Sequence, residues 1–120
     1  MKRSSIKAAN LFKKYLKMLG EPTDVTVEVM WVDDMGDLSG ACNDYLGSKY
    51  YQLILETSGY NDNIRDTFEK VIAHEAVHVM LNHLGLYVAK GTLNKTQIKT
   101  INRVEEEVCD RIARMLVAAS

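Results

Sequence analysis

Apolar residues recur every three or four positions over residues 5–19: Ala8, Leu11, Phe12, Tyr15, Leu16 and Leu19. That spacing predicts an amphipathic helix whose lysines lie mostly off the apolar stripe, stopped by Gly20 and Pro22. The period then changes to two. Residues 24–33 set Val25, Val27, Val29 and Trp31 on one face against Thr26, Glu28 and Met30, as a half-buried strand does. Asp33 to Asp37 is a turn, and its acids lack the ligand order and closing Glu of a calcium loop. Residues 38–46 form a weaker, more polar strand. Gly47-Ser48 suits a two-residue hairpin, and Tyr50 to Glu56 is a stronger strand with Tyr51, Leu53 and Leu55 on one face. The three strands read as an antiparallel meander with the polar, Gly-containing one at an edge, where it could accept an extended peptide or merely blunt aggregation.

Thr57 to Asp62 is a loop in which Asn61 or Asp62 can cap the next helix, and after it the period returns to a helical one. This helix runs from about Ile64 to Leu84 and ends at Gly85. Leu86 to Leu93 reads as a linker. Asn94 and Gln97 resemble a capping box opening a last helix to about Ala118, with a stripe of Ile98, Ile101, Val104, Val108, Ile112, Met115 and Leu116. The fold class is α+β: a small antiparallel or mixed sheet of about three strands packed on an N-terminal, a middle and a C-terminal helix. Residues 1–120 read as a single domain.

At 47% hydrophobic and 26% charged residues the composition is that of an ordinary globular chain. The net charge of -1 offers no general attraction to nucleic acid. Residues 1–20 nevertheless hold six Lys or Arg and no acid, against 9 basic and 16 acidic residues in the remainder. A solvated face is the first reading of that basic helix, and docking on an acidic partner or nucleic acid the alternative. No apolar run approaches the roughly 20 residues of a membrane span, and lysines interrupt anything resembling a signal peptide. Cys42 and Cys109 form no CxxC pair and read as free thiols of a cytoplasmic protein.

The chemistry concentrates in the middle helix, at His74-Glu75-Ala76-Val77-His78. Residues four apart on a helix lie one turn apart and about 40° round its axis. Two imidazoles can thus aim at one point with a carboxylate beside them, the arrangement of H-E-x-x-H zinc hydrolases. With 3 His in 120 residues the motif is rare by chance. The neighbours Val71, Ile72, Val77, Val79, Met80 and Leu81 mark a largely buried helix, where unpartnered polar side chains would cost several kcal/mol.

A catalytic zinc needs a third protein ligand. His83 is turned by about 140° from His78 and about 180° from His74, and so reads as structural or surface-exposed. The better source is Glu105-Glu106-Glu107 in the last helix. Glu105 is nearer the middle of the apolar stripe, Glu106 lies at its border, and Glu107 points away, so phase leaves the first two open. Asp110, one turn after Glu106, could accept the N–H of a ligand histidine.

His74-Glu75-x-x-His78, with Glu106-x-x-x-Asp110-x-Ile112-Ala113 downstream, resembles the gluzincin signature of zinc metallopeptidases. Over roughly Tyr50 to Leu116 the chain is most similar to the small ImmA/IrrE-type metallopeptidases of bacteria and phages. The resemblance implies a zincin-like fold, with an edge strand lining the substrate cleft. It also implies His74, His78 and Glu106 as zinc ligands, Glu75 as general base, and Asp110 as the carboxylate behind them. Some relatives of that kind cleave a repressor protein. No DNA-binding segment is expected within these 120 residues, Cys109 stands where a small Ala is usual, and no proline comes between Leu116 and Ser120. SprT-like proteins use a third histidine that is not offered here. The expected activity is zinc-dependent hydrolysis of peptide bonds in a protein or peptide substrate. The rival is a metal-stabilised module that binds protein without cutting it. For a residue assisting the oxyanion, Tyr60 and Tyr87 are the nearest candidates.

Overall fold

The computed structural model describes residues 4–35, 40–44, 49–57 and 65–120. Helix α1 spans Ser5–Met18, strands β1, β2 and β3 span Thr26–Val32, Gly40–Asp44 and Tyr50–Glu56, and helices α2, α3 and α4 span Arg65–His83, Leu86–Lys90 and Lys95–Ala119. The class is α+β, with a three-stranded mixed sheet. Among the described residues no helix is long and apolar enough to cross a membrane. The Gly47-Ser48 turn, the capping Asn61 and Asp62, and Tyr60 lie outside the described residues.

The sheet corrects the expected meander. Its order is β1-β3-β2, with β2 antiparallel to β3 but β1 parallel to it. Alternation of residue types fixes which face a strand buries, not which strand lies beside it. β3 buries Tyr51, Leu53 and Leu55 and takes the centre, flanked by the half-buried β1 and the polar β2. A parallel pair needs a crossover, and here the chain between β1 and β3 includes β2 itself. Among the described residues the polar strand is indeed an edge.

α1 starts on Ser4, whose hydroxyl accepts from the Lys7 N–H, and buries Ala8, Phe12, Tyr15 and Leu16. Phe12 meets Tyr51 of β3 edge-on at 5.9 Å, and Trp31 of β1 donates its indole N–H to Ser5 at 2.8 Å. α2 is apolar on nearly every side because it is enclosed on nearly every side, by α1, by β2 and by α4. Phe68, Ile72, Ala73, Ala76, Val77 and Val79 are all buried, and Phe68 stacks on Trp31 with ring centroids 6.3 Å apart. Ala73 and Ala76 on α2, with Cys109 and Ala113 on α4, are small, buried side chains that let helices approach closely. α4 therefore packs primarily on α2 rather than as a third layer directly on the sheet.

Two glycines matter to this frame. Gly85 has φ of +99°, a left-handed turn that most side chains resist, and lets the chain leave α2 and enter α3. A Cβ on Gly40 would stand 2.7 Å from Cγ1 of Val71, so the missing side chain is what allows β2 to lie against α2. Gly40→Ala is expected to destabilise the protein by about 1–3 kcal/mol through overpacking, measurable by urea unfolding.

The expected linker 86–93 contains the short helix α3, too brief to reveal itself by periodicity. The capping box of α4 is present in both directions: Asn94 Oδ1 accepts from the Gln97 N–H at 2.9 Å, and Gln97 Oε1 accepts from the Asn94 N–H at 3.0 Å. His83 is structural. Nδ1 faces Glu21 after α1 and Nε2 faces Asp44 of β2 at 2.8 Å, pinning the end of α2 to both. Asp44 is pushed up by burial, against which the His83 charge pulls down.

Candidate metal centre

α2 and α4 build the site by packing face to face. His74 and His78 sit one turn apart on α2 with ring centroids 4.8 Å apart. α4 brings Glu105, Glu106 and Cys109 opposite them, residues spaced to share one helix face. The carboxylate of Glu106 spans both imidazoles: Oε2 is 3.0 Å from Nε2 of His74, and Oε1 is 3.0 Å from Nε2 of His78. Glu105 sits on the other side of the His78 ring, with Oε2 2.5 Å from Nδ1, and its second oxygen takes Lys90 of α3.

This pattern separates the two glutamates, which sequence left open. Glu105 is buried and holds the outer nitrogen of His78, as the carboxylate behind a metal-bound histidine does. Glu106 has a side chain 62% exposed and faces the inner nitrogens of both rings. An imidazole lone pair and a carboxylate lone pair cannot face each other at 3.0 Å without a positive charge between them. Protons can fill both gaps, and so can one cation. Ligands on a tetrahedral zinc stand about 3.3 Å apart, close to the separations here. The donor set of two imidazoles and a carboxylate thus fits a divalent ion.

Electrostatics agree with that fit. Burial, then the neighbouring His78, lower the pKa of His74, while Glu106 and Asp110 oppose them; the neutral ring is the form that ligates. Burial raises Glu105, but Lys90 and His78 outweigh it and hold the carboxyl below the usual range. Glu75 is 8% exposed. Burial pushes it up to about 7, with Glu106 and Glu105 adding to the rise and His78 opposing it. Its charge also raises the thiols of Cys42 on β2 and Cys109 on α4, which locates Glu75 near both elements.

Asp110 has different partners from those expected. It pairs with Lys70 at 2.8 Å and with Arg114 at 3.5 Å, and these cations lower its pKa. Its charge also acts on His74, while the direct carboxylate contact to the outer nitrogen of His78 is made by Glu105. Glu107 points outward to Arg103. Tyr87 is exposed on α3.

Sequence reasoning missed two participants. Lys90 lay in the supposed linker and carried no signal. Cys109 comes four residues after Glu105 and three after Glu106, a spacing that could have revealed it. Both cysteines are free thiols, and Cys109 is buried with Sγ 3.5 Å from Nδ1 of His78. One donor atom from each of His74, His78 and Cys109 lie within 4.8 Å of one another, close enough to hold a metal. Burial pushes the Cys109 thiol up to about 12, with Glu105, Glu106 and Glu75 contributing. Two donor sets therefore share the histidines, one completed by Glu106 and one by Cys109. Glu106 is the better third partner on geometry, because among the described residues it alone contacts the inner nitrogen of both rings. Comparison with protein-family models, curated proteins and solved structures gave no match.

Proposed function

We propose that this chain is a zinc metallopeptidase of zincin-like, gluzincin type, most similar to the ImmA/IrrE-type enzymes. The observation that carries the reading is the Glu106 carboxylate bridging Nε2 of His74 and Nε2 of His78, each at 3.0 Å. His74, His78 and Glu106 are the ligands, and Glu105 fixes the tautomer and orientation of His78. An ion held there supplies a Lewis acid for a carbonyl oxygen and a water acidified to near neutrality.

Glu75 is the general base. It takes a proton from the attacking water and returns it to the leaving amine nitrogen. A carboxyl near 7 in the metal-free site can do both, although a bound cation would favour its ionised form. The substrate is an extended segment of protein or peptide. β2, an edge strand among the described residues and packed on α2, offers a sheet edge for it to lie along. Two free cysteines suit a cytoplasmic setting.

A second reading has its own support. If Cys109 completes the coordination, the site is closed, and closed four-ligand sites are structural. The protein would then be a metal-stabilised binding module. Incubation of the zinc-loaded protein with an unfolded test protein separates the two. Fragments should form, vanish with chelator and return when zinc is restored. Binding of that protein without fragments would favour the module.

A further inference from the structure

Hydrolysis at this site uses Glu105 and Glu106 of α4 and leaves Cys109 without a task. Its position is nonetheless specific. The residue is fully buried on the α4 face that meets α2, and Sγ lies 3.5 Å from Nδ1 of His78, the outer nitrogen that Glu105 also faces. Glu105, at 2.5 Å, is the closer partner of that nitrogen, so the thiol is a neighbour of the ring rather than its principal hydrogen-bond acceptor. The donor atoms of His74, His78 and Cys109 already fall within 4.8 Å of one another. Those three donors are close enough together to hold one metal ion.

We propose that Cys109 is a fourth metal ligand that reversibly occupies the coordination position hydrolysis needs open, so that the loaded protein exchanges between a closed form and an open, cleaving one. The inference rests on the metal reading of His74, His78 and Glu106. When the ligand binds, the S–H bond breaks, a metal–sulfur bond forms and the proton leaves to solvent, with no change of oxidation state. Four protein ligands make the structural kind of site and three make the catalytic kind. One side chain thus decides between them. Turning Cys109 away opens the position, and its return closes it.

Cobalt(II) is the probe, because a thiolate ligand gives it a charge-transfer absorption in the near ultraviolet that imidazole and carboxylate do not. Wild-type protein loaded with cobalt should show that band. Cys109→Ala and Cys109→Ser should bind one cobalt per chain and lose the band, and the zinc-loaded variants should cleave an unfolded test protein faster than wild type. Two variants guard against a packing defect in either. Cobalt bound by the wild type without the band would overturn the inference and leave the three-ligand site standing. The band in the wild type, with cobalt lost from both cysteine variants but kept by Glu106→Gln, would also overturn it, making Cys109 the third ligand. Failure of the wild type to bind cobalt at all would remove the underlying metal reading itself.

Discussion

Glu75→Gln is expected to keep its metal and lose peptide hydrolysis by about 10²–10⁴-fold, equivalent to roughly 3–5 kcal/mol of barrier. The amide has nearly the shape of the carboxyl, so packing against β2 and α4 is retained. Metal content should not fall, because Glu75 does not contribute a ligand: the inner nitrogens of His74 and His78 face Glu106. Removing the buried, destabilised carboxyl should also leave the fold no less stable, since burial is the main cause of its raised pKa. Metal analysis, a melting curve and a cleavage assay on one preparation check all three statements. Unchanged cleavage would refute the general-base role.

The second large effect is a contrast between adjacent residues. Glu106→Ala should weaken zinc binding by more than the roughly 10–100-fold that loss of a ligand's outer partner usually costs. Glu105→Gln should fall within that range, because it removes only the carboxylate that orients His78. A chelator-competition titration of both variants reads the difference directly. The reverse order of effects would make Glu105 the ligand and would require the His78 ring to bind through its other nitrogen.

Much of this frame was legible in the sequence where a pattern repeats. α1 and α4 declare themselves by apolar residues three and four positions apart, α2 by a longer apolar-rich stretch, and Asn94 with Gln97 announces where α4 begins. The alternations of β1 and β3 mark strands, and the polar character of β2 marks an edge. Pairing is not periodic. Nothing in the composition of β1 requires it to run parallel to β3, so the mixed topology became visible only in three dimensions. α3 was hidden by its length of 5 residues.

The site divides along the same line. H-E-x-x-H is a local pattern, and His74, Glu75 and His78 are fixed by it. Which carboxylate of α4 faces them depends on how α4 is rotated and tilted against α2, and a shift of one residue turns a helix by about 100°. Glu105 and Glu106 both reach the histidines, from opposite sides of the His78 ring. Asp110 shares a helix face with Glu106, yet Lys70 of α2 arrives beside it and takes the carboxylate. A partner supplied by another helix cannot be read from phase.

Metal stoichiometry of the purified chain tests the account most directly. After exposure to zinc and removal of excess, the wild type should retain one ion per chain, and His74→Ala and His78→Ala should retain none while keeping helical content. A wild type that emerges without metal, or histidine variants that hold it as firmly as the wild type, would contradict the account.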